Sequence, residues 1–282
     1  MQKIGFIDYY LDEWHANNYP RLIGESSANT PGAAAAFAWG ERDSPGGLSS
    51  AAWCGKYGPE LCGSPEEVCE KSDCLLILSP DNSEKHLEYA RRVLPYKKPT
   101  YIDKTFAPTL GEAKEIFALA EKYGVPLCSA SALRFASEIA EYNGNAQSMV
   151  SVGSGSSFAT YAVHQMEIIT KVMGAGAEKV MGIMNEKNKS LLIGYADGRH
   201  ALFTQAAGSS APFAVSIEGR GSGKTEFRII ESDFFKAFID ALLVFYSTGK
   251  VLASKQETLS VISLIEAGEK ALAAPFQWIP AA

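Results

Sequence analysis

The stretch "CLLILS", from Cys74 to Ser79, is a continuous apolar run bounded by polar residues. A strand with apolar side chains on both sides must be covered on both faces, and that is the condition of a parallel sheet flanked by helices. The rest of the first half agrees with it. "KIGFI" (Lys3 to Ile7), "PTYID" (Pro99 to Asp103) and "VPLCSA" (Val125 to Ala130) read as strands, with "AAAAFAW" (Ala33 to Trp39) a weaker candidate. Helical patterns lie between them. Ser64-Pro65-Glu66-Glu67 is an N-cap with proline at the first helical position and acids in the first turn. Leu87, Ala90, Val93 and Leu94 share one helical face. Thr109 caps a helix with Leu110, Ala113, Phe117 and Ala120 at helical spacing, and Gly124 stops it. Strands alternating with helices predict βαβ units in a parallel sheet.

The pattern changes after about Asn143. A helix is predicted from about Thr160 to Met173, ending at Gly174. Strand-like runs follow: "EKVMGIMN", "SLLIGYA", "HALFTQA", "FAVSIEG" and "TEFRII", with a tight hairpin turn at Asp197-Gly198. Two helices close the chain. One carries Phe234, Phe235, Phe238, Ile239, Leu242 and Phe245, the other Leu259, Ile262, Leu264 and Ala267. A domain boundary is expected between residues 130 and 145, giving domains of residues 1–130 and 131–282.

Composition excludes several classes of function. The 282 residues carry a net charge of −6, and no basic block is present, so nucleic acid is not an expected partner. Apolar runs fall far short of the roughly 20 residues that span a bilayer, and no secretory pattern opens the chain. A cytoplasmic location without membrane attachment is expected. The five cysteines, Cys54, Cys62, Cys69, Cys74 and Cys128, form no C-x-x-C pair and read as reduced thiols rather than a metal site. "GRGSGKTEF" (Gly219 to Phe227) is not a P-loop, because Glu218 stands where its first glycine belongs and strand-like runs flank it; it reads as a glycine-rich hairpin turn.

Open parallel sheets bind ligands beyond the carboxyl ends of their strands. "SPDNSEKH" (Ser79 to His86) and Asp103-Lys104-Thr105 follow two of the predicted strands. A lysine held at such a rim is a candidate proton donor or electrophile. Among the other histidines, His200 follows a hairpin turn, while His164 and Glu167 share a helical face without enough ligands for a metal.

The order of "LCGSPEEVCEKSDCLLILSPDNSEKH", "KPTYIDKTFAPTLGEAKEIFALAEKYGVPLCSASALRF", "VHQMEIITKVMG" and "SDFFKAFIDALLVF" resembles the Gfo/Idh/MocA oxidoreductases over nearly the whole chain. These are sugar dehydrogenases related to glucose–fructose oxidoreductase and inositol dehydrogenase. The resemblance implies an α/β protein. Its N-terminal part would be a Rossmann-like, doubly wound parallel sheet binding NAD or NADP. Its C-terminal α/β domain would have a mainly antiparallel sheet that carries subunit contacts in a dimer or tetramer. It implies a small-molecule substrate, a carbohydrate or related polyol. By position it implies Lys104 and His164 as catalytic residues. Asp8, His15, Ser79, Asn82, His86 and Asp103 would line the cofactor, and Arg134 and Thr160 the substrate. The family's D-x-x-x-H segment corresponds to Thr160 through His164, with threonine in place of aspartate.

The family's glycine-rich turn should lie at Asp8-Tyr9-Tyr10-Leu11-Asp12-Glu13, which has no glycine and three acids. Asp12 or Glu13 is expected to cap the following helix, and Tyr9 or Tyr10 to fill the space over the sheet edge. Glu41 is the candidate acid for the ribose. Two readings follow: an NAD(P)-dependent dehydrogenase acting on CH–OH groups, or a cofactor-free binding or regulatory protein on a retired oxidoreductase scaffold.

Overall fold

The computed structural model describes residues 1–26, 32–185, 187–207, 211–221 and 223–281. The chain divides into two compact units: Met1–Ser129 with Lys236–Ser254, and Ala130–Phe235 with Lys255–Ala282.

In the first unit, β1 (Gln2–Asp8), α1 (Trp14–Glu25), β2 (Ala33–Gly40), α2 (Ser50–Tyr57), β3 (Glu60–Leu61), α3 (Pro65–Lys71), β4 (Cys74–Ile77), α4 (His86–Val93), β5 (Thr100–Ile102), α5 (Leu110–Tyr123) and β6 (Leu127–Cys128) alternate. The six strands are parallel, in the order β3-β2-β1-β4-β5-β6. That is the doubly wound dinucleotide-binding order. The buried side chains of β4, all four of its residues, explain the continuous apolar run. The helix signals act as expected. Ser64 accepts from the N–H of Glu67 at 3.2 Å, and Thr109 from that of Glu112 at 3.2 Å. Gly124 ends α5 in the left-handed region at φ 67°, where only glycine is unstrained. Gly5 is fixed by packing instead, since a Cβ there would lie 2.4 Å from Val68 and Ser72 atoms of α3 and its C-cap.

The second unit contains β7 (Ala146–Gly155), α6 (Phe158–Met173), β8 (Ala177–Met184), β9 (Asn188–Tyr195), β10 (His200–Ala207), β11 (Ala214–Gly219) and β12 (Thr225–Ile229). The helix α7 (Phe234–Thr248) then returns to the first unit, and α8 (Lys255–Ala273) and β13 (Trp278–Pro280) complete the second. The second sheet has the order β12-β11-β7-β10-β9-β8-β13. All its pairs are antiparallel except β7 with β10. The hairpin expected at Gly219 to Phe227 is the β11–β12 connection, of which Ser222 lies outside the described residues.

On one face of this sheet, Met149, Val180, Leu191, Ile193, Phe203 and Ile217 are buried. Gly182 lies so close to α8 that a Cβ would meet the Ala271 carbonyl at 2.3 Å. The alternate residues form a row in register across all seven strands: Phe227, Ser216, Val150, Leu202, Leu192, Met181 and Trp278. Its ends, Phe227 and Trp278, are 68% and 42% exposed. In the first unit, α7 seats Phe238 against Tyr19 and Tyr101, and the Tyr246 hydroxyl donates to the Leu75 carbonyl of β4 at 2.7 Å.

Candidate functional site

The turn after β1 closes on itself. Asp8 is buried, and its Oδ1 accepts from the N–H groups of Tyr9 at 2.7 Å and Ser79 at 2.9 Å. Burial, with the Glu13 charge nearby, pushes its carboxyl well above the usual carboxylate range. Its Oδ2 has no hydrogen-bond partner. Ser79 holds a positive φ of 58°, and its Oγ accepts from the N–H of Tyr9 at 2.9 Å. Glu13 caps α1, accepting from the N–H groups of His15 at 2.8 Å and of Ala16, and its carboxylate meets His15 Nδ1 at 2.9 Å. Of the two acids expected at this helix start, Glu13 is therefore the cap.

Asp12 serves a different backbone. Its Oδ2 accepts from the N–H of Leu48 at 2.7 Å and its Oδ1 from Asn17 at 2.9 Å. The Leu48 N–H is the main reason its carboxyl lies below the usual range. The buried apolar side chain of the turn is Leu11, at 1% exposure, rather than Tyr9 or Tyr10. Gly40 lies beside it: a Cβ there would come 2.8 Å from Ser50 Oγ and 3.3 Å from Leu11 Cγ. The rings of Tyr9 and Tyr10 remain partly exposed, with Arg42 over Tyr9 at 4.9 Å and Lys85 at 5.6 Å.

Glu41 follows β2, its N–H bonded to the Asp8 carbonyl. Its carboxylate accepts from Lys85 Nζ at 2.9 Å and from the Tyr89 hydroxyl at 2.6 Å. Burial would raise its pKa, but these donors and the two nearby cations bring it below the ordinary value.

Beyond β5, Asp103 is buried and accepts from the Tyr101 hydroxyl at 3.2 Å. Lys104, 7% exposed, has its Nζ 3.5 Å from Asp103 Oδ2 and donates to the Pro80 carbonyl at 3.4 Å. Burial alone would raise the Asp103 pKa; Lys104, His15 and His86 outweigh it and hold the carboxyl low. His15 is affected in the opposite sense. Burial would lower its pKa, but Asp103 and Glu13 together raise it. Asp103 Oδ2 and Thr105 Oγ1 are buried without a hydrogen-bond partner.

His86 is fully buried, its Nε2 2.6 Å from the Leu78 carbonyl and its Nδ1 3.1 Å from that of Phe106. It lies between two carbonyls that follow β4 and β5; burial lowers its pKa, and the neutral ring donates to only one of them. Asn82 donates to Glu84 at 2.9 Å. The first unit thus brings Asp8, His15, Ser79, Asp103 and Lys104 to one carboxyl edge, with His86 beneath it.

In the second unit, α6 carries Thr160 and His164. The Thr160 N–H donates to Ser157 Oγ at 3.2 Å as the helix cap, and Thr160 Oγ1 accepts from the Ser157 hydroxyl at 2.9 Å. His164 Nδ1 instead meets Ser131 Oγ at 2.8 Å, with the rings of Tyr161 and Phe213 each 6.0 Å away. Glu167, one turn on, is 3% exposed and bonded to Arg134 at 3.3 Å; Arg134 also pairs with Glu257. Burial raises the Glu167 pKa to about 7, opposed by Arg134 and reinforced by the Glu257 charge. Arg134 is therefore held in an internal carboxylate network.

Ser131 and Leu11 were not legible as site residues. Ser131 is 33 positions from His164, so no local spacing links them. Leu11 is one apolar residue in a polar turn, and it packs beside Gly40 of the neighbouring strand, 29 positions away.

These positions fit the two ends of a nicotinamide dinucleotide. Glu41 offers a carboxylate after β2, where an acid of this fold meets the ribose hydroxyls. The Asp103 carboxylate, ion-paired with Lys104, and the Thr105 hydroxyl offer polar contacts at the other end. Between them the fit changes character, because Glu13 has taken N–H groups of α1 that a pyrophosphate uses in this fold. Among the described residues no group of His, Cys, Asp or Glu is placed to hold a metal, and no helix is long and apolar enough to cross a membrane. All five cysteines are free and buried.

No protein-family model matches the chain. A 70-residue stretch, 25% of the chain, is 37% identical to the uncharacterized oxidoreductase YhhX of Escherichia coli (strain K12), a match spanning 20% of that protein's length. Solved structures match far more fully. The scyllo-inositol dehydrogenase of Lactobacillus casei, in its apo form, is 14% identical with a TM-score of 0.76, over 99% of this chain and 98% of that one. An oxidoreductase from Agrobacterium radiobacter, crystallised with NAD+, L-tartaric acid and magnesium, matches with the same identity, coverage and TM-score. The fold is that of the Gfo/Idh/MocA-type dehydrogenases, as the sequence resemblance implied.

Proposed function

We propose that this chain is an oxidoreductase that transfers hydride between a nicotinamide dinucleotide and a small polyhydroxylated substrate, a sugar or cyclitol. The observation that carries this reading is Lys104, a nearly buried lysine beside Asp103 at the carboxyl edge of a 3-2-1-4-5-6 parallel sheet. The neighbours' ligands support it, since an NAD+ complex and an inositol dehydrogenase share the fold.

The dinucleotide, when bound, supplies the hydride acceptor; Glu41 would hold its ribose, and Asp103 and Thr105 its other end. The chain's own residues manage the proton and the charge. His164 takes the proton of the substrate hydroxyl as general base. The Lys104 ammonium, held by Asp103 and the Pro80 carbonyl, donates to the oxygen that gains negative charge. Assembly into a homo-oligomer would cover the apolar row of the second sheet, a face that monomers rarely leave open.

Steady-state assays with inositols and aldoses and all four nicotinamide dinucleotides test the reading. Lys104→Ala and His164→Ala should each lower turnover by about 100-fold or more with the melting curve retained. Unchanged turnover in either variant removes that residue from the mechanism.

A second reading has one observation in its favour, the Glu13 carboxylate lodged at the α1 N-terminus. It is a cofactor-free protein that binds the same class of small molecule. Calorimetric titration separates the two, because this reading requires polyol binding with no dinucleotide binding at all.

A further inference from the structure

We propose that Ser131 is the positioning residue of His164, its hydroxyl fixing the imidazole in place of a carboxylate on the same helix. The proposal rests on the oxidoreductase reading and deepens it.

The geometry favours Ser131 over Thr160. Ser131 Oγ lies 2.8 Å from His164 Nδ1, whereas Thr160 Oγ1 meets the Ser157 hydroxyl at 2.9 Å. The serine is itself firmly seated. It is 1% exposed and heads the short 3-10 turn Ala132–Phe135, with the Leu133 N–H on its Oγ at 3.4 Å. Arg134 of the same turn donates to the Glu167 carboxylate at 3.3 Å and also pairs with Glu257, which anchors the turn that carries Ser131. Tyr161 and Phe213 border the ring.

The chemistry differs from that of a carboxylate. A carboxylate only accepts, so it forces the proton onto Nδ1. A hydroxyl both accepts and donates. With Nδ1–H donating to Ser131 Oγ, Nε2 keeps its lone pair and can take a proton from a substrate hydroxyl. The ring then carries both protons, and the Nδ1–H bond to Ser131 persists. If the proton sits on Nε2 alone, the serine turns its own O–H toward Nδ1. Ser131 therefore keeps the ring seated in each protonation state without adding a negative charge. Glu167, Arg134 and Glu257 form the charged background behind it.

The test uses full-length protein labelled with 15N at histidine, and reads the His164 ring nitrogens across a pH series. Ser131→Ala should change the ratio of the two neutral tautomers and lower kcat on the order of tenfold with KM nearly constant, as expected for a mis-set proton-transfer group. Ser131→Thr, which keeps the hydroxyl, should restore most of kcat. Thr160→Val should leave the ring signals where they are. Thermal melts confirm that each variant is folded. Unchanged ring signals and an unchanged pH–rate profile in Ser131→Ala overturn the proposal, as does a Thr160→Val variant that moves the signals instead. If Ser131→Ala moves the ring signals while the native protein shows no dinucleotide-dependent turnover, the seating of His164 stands and the oxidoreductase reading falls.

Discussion

Glu13→Ala should weaken the first unit and, at the same time, strengthen its hold on a dinucleotide. The Glu13 carboxylate satisfies the N–H groups of His15 and Ala16 at the start of α1 and pairs with His15 Nδ1. Losing an N-cap costs about 0.5–2 kcal/mol. The carboxylate–imidazole contact is largely shielded, with side chains 6% and 14% exposed, so its loss adds to the cap. A total near 2 kcal/mol follows for the first unit. The same change frees two N–H groups and removes a negative charge at a helix N-terminus, where an anion gains about 0.3–2 kcal/mol. Dinucleotide affinity should then rise by about two- to thirtyfold.

His15 makes the stability loss depend on pH. Its pKa is raised in the folded protein, with Asp103 and then Glu13 overcoming the opposing effect of burial. The contribution is fully present below the unfolded pKa, near 6.5, and fades as pH rises through the higher folded value. The deficit of Glu13→Ala should therefore be larger at pH 5.5 than at pH 8.5. Urea unfolding at both pH values and calorimetric titration with NAD and NADP measure the two arms. Loss of stability with weaker dinucleotide binding would refute the idea that Glu13 occupies the phosphate's place, and show instead that it organises a binding turn.

Tyr246→Phe should cost about 1–3 kcal/mol in urea unfolding, because the Leu75 carbonyl loses a buried donor from α7. Glu167→Gln should flatten the pH dependence of stability between pH 4.5 and 7. The Glu167 pKa is raised to about 7, so its contribution is complete below the unfolded value and lost as pH rises through 7, on the order of 3 kcal/mol for the shift. Leu202→Glu places a charge in the middle of the apolar row proposed to be covered by a second copy, and light scattering after size exclusion should show a smaller particle than for the native protein; equal sizes would remove that face from assembly.

What could be read along the chain was whatever depends on neighbours in sequence. The unbroken apolar "CLLI" of β4 predicted a strand buried on both faces, and Ser64, Thr109 and Gly124 marked helix ends, because capping and strand patterning are satisfied within a few residues. The absence of glycine from residues 8–13 was likewise visible, as was the carboxylate cap it implied. Contacts closed between distant residues were not. Leu11 is the buried apolar side chain of the turn and packs beside Gly40 of β2, a contact that no local spacing shows. The α7 helix looked like part of the second half, yet Tyr246 and Phe238 pack it into the first unit. Thr160, one turn before His164, stands where the resembling family has an aspartate. In the fold the Thr160 hydroxyl meets Ser157 at the start of α6, and the imidazole meets Ser131, 33 positions away, whose place is set by a turn that only the fold brings alongside α6. Partners so far apart in sequence are decided by tertiary structure, because no local spacing brings them together.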